Sequence, residues 1–484
     1  MQGDFSRDSY DPKKNFTRVL MQQGRLLVDA DWNEQSEIVL HYLRSLAADI
    51  IGRHGGPGVK PGFKKPYDKD PKQNAGAFLV TLDANSHKVA SISGGRYYVD
   101  GLLIENGTPA IVSHDNPTLK NQLVYLDVWE RHIVAINESD LLDEALGGLD
   151  TASRTRLMAS IHVASTDVDS TSSALDKDAD LRELVINTTS KAKIPVPDPR
   201  PLENASLPQL AAGPPVDSGD GGDCVEKENG SGYTGLENQL YRVEVHHAGK
   251  DGKTFWDPGK TNANDAFTLK WSRDNGSVAY AATVENVTAT LKTKWRDDSR
   301  AIRPGDWVEL IALSEENGVL RKIKTVDCDG GSVSVTFELP KDSKPAPSGE
   351  IVLRRWDHRW HKDFPLSEGT ENFGGILVKQ NGTDASGSPV SAPMLLEDNI
   401  QITLTLPKDA EFRAGDYWLI PARAATGGIL WPKDEVVDSK GNSTYLPALI
   451  PAKYTKHHYA PIAWINGTTQ AIVDLRRNIE PIAK

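Results

Sequence analysis

The densest groups of residues able to bind a metal or move a proton are three histidine pairs: His358 and His361 in RWDHRWH, His457 and His458 in YTKHHYAP, and His246 with His247. Two imidazoles and a carboxylate on one face would suit zinc. In a strand, neighbouring side chains point to opposite faces, so adjacent histidines cannot close on one ion. These residues are expected at polar edges or interfaces. The acidic loop DSGDGGD sets Asp217, Asp220 and Asp223 three apart, and VDCDGG adds Asp327 and Asp329, which together offer hard oxygen ligands for Ca²⁺. The alternating ligands and terminal Glu of an EF-hand are missing. A solvated loop is therefore the reading, with Ca²⁺ as the alternative, and no metal or cofactor is expected.

Covalent catalysis has no visible signature: there is no G-x-S-x-G elbow, no Walker A loop, no HExxH and no GxGxxG opening a strand-helix unit. Glycosidases leave no local motif, because their paired carboxylates come from distant parts of a chain. Asp357 with Asp363, or Asp127 with Glu130, have no better claim to such a pair than any other acids. The chain holds 11 tryptophans, most in or beside apolar runs, where each would remove about 150–250 Å² from water. Trp356 and Trp360, interleaved with Arg354, Arg355 and Arg359, are the preferred exposed candidates for stacking on a sugar ring, against core or cation-π packing.

The elements that must position these residues are mostly strands. At 484 residues, two to four modules are expected. Hydrophobic residues make up 38% and charged residues 25%, a globular balance, and no run of about 18 apolar residues could span a bilayer. The net charge of -12 comes without a basic block, which argues against a nucleic-acid footprint. The first residues, MQGDFSRDSYDPKKNF, lack the apolar core of a secretory signal, so synthesis in the cytoplasm without export by the general route is expected. Cys224 and Cys328 are read as unpaired thiols, with a single bridge between them as the alternative.

After VDADWNEQ, Ile38, Val39, Tyr42, Leu43, Leu46, Ala47 and Ile50 recur at three- and four-residue spacings, the mark of an amphipathic helix of about 20 residues. Asp31 with Glu34 resembles a capping box, and Gly52 a stop. Residues 1–55 thus read as a polar arm and docking helix. Short β-type runs fill 75–165, with a hairpin turn at Asp100-Gly101. Residues 166–235 form a Pro/Gly-rich insertion or linker, 236–365 a second β module and 366–484 a C-terminal one. The fold class expected is mainly β: several sandwich- or barrel-like modules with an N-terminal arm and one amphipathic helix.

Several segments in order (GDFSRDSYDPKKNFTRVLMQQGRLLVDADWNEQ, GRYYVDGLLIEN, VYLDVWERHIVAI, LGGLDTASRTR, GLENQLYRVEVH, KWSRDNGSVAY, RPGDWVEL, FRAGDYWLIPARAATGGILWP and HHYAPIAWI with DLRR) resemble a bacterial family encoded with phage-tail-like contractile injection systems. The YYVDG and HHYAPIA stretches are similar to modules of phage tail-fibre proteins. The resemblance implies a non-catalytic structural or assembly component of such a particle, associated with its baseplate, fibre or shell. A glycan-binding fibre module is the alternative, and a cell-envelope polysaccharide hydrolase the next. The implied partners are other subunits of the particle, with a homo-oligomer, a trimer by analogy, and neither nucleic acid nor membrane insertion. The particle would be cytoplasmic or released extracellularly. Arg25, Asp29, Asp31 and Trp32, at the junction of arm and helix, are the expected assembly residues, with Arg25 and Arg131 in intramolecular or intersubunit ion pairs with neighbouring acids.

Overall fold

The computed structural model describes residues 1–57, 78–82, 89–106, 111–114, 120–166, 196–203, 205–215, 232–293, 295, 297–329, 332–339, 345–437 and 441–479. The protein is mainly β, with sandwich-like and barrel modules and an N-terminal helix. In the first module the long strand Asn121–Ile133 lies between Arg154–Thr166 and His458–Ile465. Its inward residues Val124, Leu126 and Val128 meet Tyr97, Val99, Leu102 and Ile104 from the facing sheet. That facing sheet contains the Gly95–Val99 and Leu102–Asn106 hairpin, whose turn residues Asp100 and Gly101 both take positive φ, 46° and 79°. An Asp-Gly pair suits a turn with two left-handed residues, because Gly carries no Cβ and Asp tolerates that region.

The second module sets Gln239–His247 between Thr268–Ser272 and Tyr417–Arg423. It packs Tyr241, Val243 and Trp418 against Leu210, Ile402 and Leu404 of the sheet formed by Gln209–Gly213 and Gln401–Thr405. The third module is a closed barrel of six strands: Ala279–Glu285, Thr288–Leu291, Ser332–Phe337, Val319–Asp329, Trp307–Ala312 and Gly349–Trp356. The strands close on themselves, leaving no free edge, around a core of aliphatic side chains such as Val308, Leu310, Val335 and Leu353.

Strand pairing redraws the boundary placed at 366. Tyr417–Arg423 completes the sheet begun by Gln239–His247, whereas His458–Ile465 returns to the first module and pairs with Asn121–Ile133. The segment 366–484 is divided between two cores because β partners are chosen by register and face, whatever their distance along the chain. The insertion 166–235 likewise supplies one described strand, Gln209–Gly213, to the second module.

The helix runs Asp29–Ile51, and Gly52, with φ of 83°, ends it by donating its N–H to Ala48 O. It starts two residues ahead of the expected Asp31 cap, with Val28 at the N-cap and no side-chain cap. Asp29 and Glu34 are instead spent on the arm: Asp29 Oδ2 accepts from Ser6 N at 2.9 Å, and Glu34 Oε2 from Ser9 Oγ at 2.6 Å. The expected capping box is thus replaced by bonds that tie the arm to the helix. Against the first module, Arg44 donates to both oxygens of Glu130, at 3.1 and 2.6 Å. The hairpin turn abuts the same point, where a Cβ at Gly101 would stand 2.2 Å from Arg44 O. Only glycine allows that approach.

Candidate docking surface

The helix turns most of its apolar residues outward. Ala30 and Ile38 are buried, but Trp32 is 66% exposed, Leu43 and Leu46 57% each and Ile50 64%, with Val39 also exposed. These five residues follow one another at steps of seven, four, three and four. Alternation of three and four is the spacing of a coiled-coil seam, in which each residue enters a hole on a facing helix. Ser36 fills the one seam position that is not apolar. Leu20, Met21, Leu26 and Leu27 of the arm are exposed as well. A contiguous apolar patch of this kind is uncommon on a monomer and marks an interaction surface. A second projecting feature is the hairpin Lys433–Val437 and Ser443–Pro447, with Val436, Val437, Tyr445 and Leu446 exposed.

Behind the helix, a cleft of about 490 Å³ opens where the three modules meet. Its wall is a buried charge network. Glu244 on Gln239–His247 and Lys270 opposite it on Thr268–Ser272 approach to 2.9 Å. Lys270 Nζ also reaches Glu309 of the barrel at 2.7 Å. Glu309 accepts further from Trp356 Nε1 at 2.9 Å and Gly318 N at 2.8 Å, and Arg242 lies over the Tyr417 ring at 3.6 Å. Burial alone would raise the Glu244 carboxyl, but Arg242 and Lys270 outweigh it and hold the group well below its ordinary value. The arm enters this network: Gln2 Nε2 donates to Glu244 Oε2 at 3.1 Å, and Asn275 Nδ2 donates to Gly3 O at 2.9 Å. A second buried group joins Arg200 to Asp198 and Asp416. Burial pushes Asp416 up to about 6, with Arg200 restraining the rise.

The sequence matches the Family of unknown function (DUF6519) over residues 1–194 and 202–471, most of its length. The chain belongs to this family. No curated protein and no solved structure matches it.

Within this DUF6519 chain the expected residues fare differently. Trp32 stands on the exposed seam and Asp29 holds the arm, while Asp31 lies within the first helical turn. Arg25 is exposed and makes no ion pair among the described residues, so the intramolecular form of its expected pairing is not found there. Arg131 donates to the carbonyls of Leu313 and Glu315, at 2.6 and 3.1 Å, and leaves Glu130 to Arg44. Residues 130 and 131 face opposite ways on one strand, which separates them. Trp356 is 1% exposed and belongs to the buried network, with Lys270 Nζ 4.5 Å from its ring centre. That corrects its expected role as an exposed platform: its indole N–H has a buried carboxylate to satisfy. Trp360 is 67% exposed. Asp217, Asp220, Asp223 and Cys224 lie outside the described residues. Among the described residues no group of three His, Cys, Asp or Glu side chains could hold a metal, and Cys328 is exposed.

The members of the His457–His458 and His358–His361 pairs go to different partners. His457 Nδ1 lies 2.8 Å from Asp127, and His458 Nδ1 lies 2.8 Å from Asp100. His358 is buried, with Nε2 3.0 Å from Gly374 O, whereas His361 is exposed beside Asp363. Of the carboxylate pairs, Asp127 faces histidines and Glu130 faces the helix; Asp357 is buried against Arg355, and Asp363 is exposed. One constellation escaped the sequence reading. Ser160 Oγ and Asp127 both face His162 Nε2, at 2.9 and 3.7 Å. A hydrolytic relay needs the acid on the other ring nitrogen, so these groups do not form one. The two-residue spacing of Ser160 and His162 in a strand was the available signal; Asp127 comes from the neighbouring strand, and His457 immediately precedes the strand beyond it.

Proposed function

We propose that the protein is a non-catalytic structural and assembly component of a phage-tail-like contractile injection particle, placed at its baseplate, fibre or shell. It joins neighbours by laying the Asp29–Ile51 seam against a helix of matching spacing, most simply that of other copies of itself. The observation that carries this reading is the outward seam of Trp32, Val39, Leu43, Leu46 and Ile50, an apolar stripe whose burial would gain about 25 cal/mol per Å². The segments quoted from the sequence, which resemble a family encoded with such particles, supply the setting. The non-catalytic part of the reading draws support from the junction cleft, where Glu244, Asp198 and Asp416 are each held by a cation. On this reading the chain works inside the cytoplasm or on a released particle.

The arm is not separable from the modules, since it reaches Glu244 and Asn275, so point substitutions serve better than deletion. Leu43→Glu with Leu46→Glu should leave the isolated chain as stable as before, within about 0.5 kcal/mol per site. The wild-type chain should sediment as an oligomer and co-purify with particles, and the double variant should do neither. A variant that keeps both properties, or a wild-type chain that shows neither, overturns the proposal.

A further inference from the structure

A second cleft, of about 840 Å³, lies between the barrel and the second module. That volume falls in the range of about 300–1,000 Å³ usual for small-ligand sites. Its floor is Trp307, stacked on His358 with ring centres 5.8 Å apart and packed against Phe373 at 5.5 Å. Gly374 passes under the indole with φ of 81°, where a Cβ would come 2.2 Å from the ring, so the floor is held in place by a residue that only glycine can supply. Trp256 and Trp360 add further indoles to the lining. Trp360 makes no ring contact and no hydrogen bond among the described residues, and its exposure has no account in the packing of the chain.

Most of the charged lining comes in matched pairs, with the Glu368 carboxylate in addition. Lys322 and Glu338 approach to 3.4 Å, and Arg359 and Asp306 to 4.0 Å. Each pair offers donors and acceptors side by side while cancelling its own charge. A purely apolar ligand would strip water from five charged groups without replacing their hydrogen bonds. A strongly charged ligand of either sign would meet groups of its own sign, two bases for a cation and three acids for an anion. A sugar ring has what remains: C–H faces that lie flat on an indole, and an equatorial rim of hydroxyls that both donate and accept.

We propose that this cleft binds a neutral saccharide of two or three rings, stacked on Trp360 and held at its hydroxyls by the Arg359–Asp306 and Lys322–Glu338 pairs. The proposal is independent of the seam on the helix. The test titrates the full chain with maltotriose, cellotriose and triacetylchitotriose, followed by tryptophan fluorescence and saturation-transfer NMR. At least one should bind with a Kd in the millimolar range or tighter. Trp360→Ala should weaken that binding about tenfold or more without moving the Tm. The proposal is overturned if none of the three binds at millimolar concentration, if binding survives Trp360→Ala undiminished, or if only acidic oligosaccharides bind.

Discussion

The junction of the modules and the outer face of the helix are mirror images in hydropathy. At the junction, Glu244, Lys270 and Glu309 are each 1% exposed, whereas on the helix a row of leucines and aromatics stands in water. Each arrangement costs free energy when taken alone, and the two costs have different remedies. Buried charges are tolerable because every partner lies within this one chain, fixed by two sheets and the barrel. The helix seam has no partner among the described residues, and on the proposed reading its remedy is another chain. The junction thus reads as a finished joint, and the seam as half of one.

The sharpest way to break the contrast is to remove the central cation of the junction. Lys270→Met would strand Glu244 and Glu309 without their shared ammonium, and equilibrium denaturation should show a loss of about 3–5 kcal/mol. A loss below about 1 kcal/mol would mean that water reaches these carboxylates and that the joint is not sealed.

Acid probes the same interior less severely. Burial lowers His54 to about 4 and His358 to about 3, and it holds His246 well below its ordinary value. Their contribution to stability is complete above the unfolded value near 6.5 and is lost as pH falls toward the folded values. Each ring can account for up to about 1.4 kcal/mol per pH unit in that window. Asp416, raised by burial to about 6, and Glu397, raised by burial to about 7, act in the opposite sense, losing their contribution as pH rises through those values. Carbon-detected NMR of labelled histidine should find the rings of His54, His246 and His358 still neutral at pH 5. Any of the three protonated in the folded chain at that pH contradicts its sealed burial.

The smallest effect belongs on the helix side. Arg44→Ala removes a half-exposed pair with Glu130 and should cost about 0.2–1 kcal/mol. It should loosen the helix, read as faster amide exchange over Asp29–Ile51, while the core of the first module keeps its protection. A cost matching that of Lys270→Met would erase the distinction drawn between the two regions.

The parts of this architecture legible in sequence are those governed by local rules. Alternation gave the strands, the three-and-four spacing gave the helix, and Asp100-Gly101 announced its turn. What remained hidden was set by partners far along the chain. Trp356 follows two arginines and reads as surface, yet Glu309, 47 positions earlier, draws its indole inward. The helix stripe was visible, but amphipathicity does not say whether the apolar face meets its own chain or another. Asp31 and Glu34 match a capping pattern that the chain abandons: Ser9 of the arm takes Glu34, Ser6 takes Asp29, and the helix begins ahead of Asp31. His458–Ile465 could not be assigned to the first module without knowing its register with Asn121–Ile133.

The way the arm is seated also bears on how the protein is made. Ser6 O accepts from Arg423 and Asp8 pairs with Lys453, contacts spanning 417 and 445 positions. On the ribosome, residues 6 and 8 emerge long before either partner has been translated, at a pace of about 5–20 residues per second. They must wait tens of seconds without a place to lie, beside a strip of leucines equally without cover. The nascent chain is therefore vulnerable to misassociation along this arm, and chaperone dependence should be concentrated there.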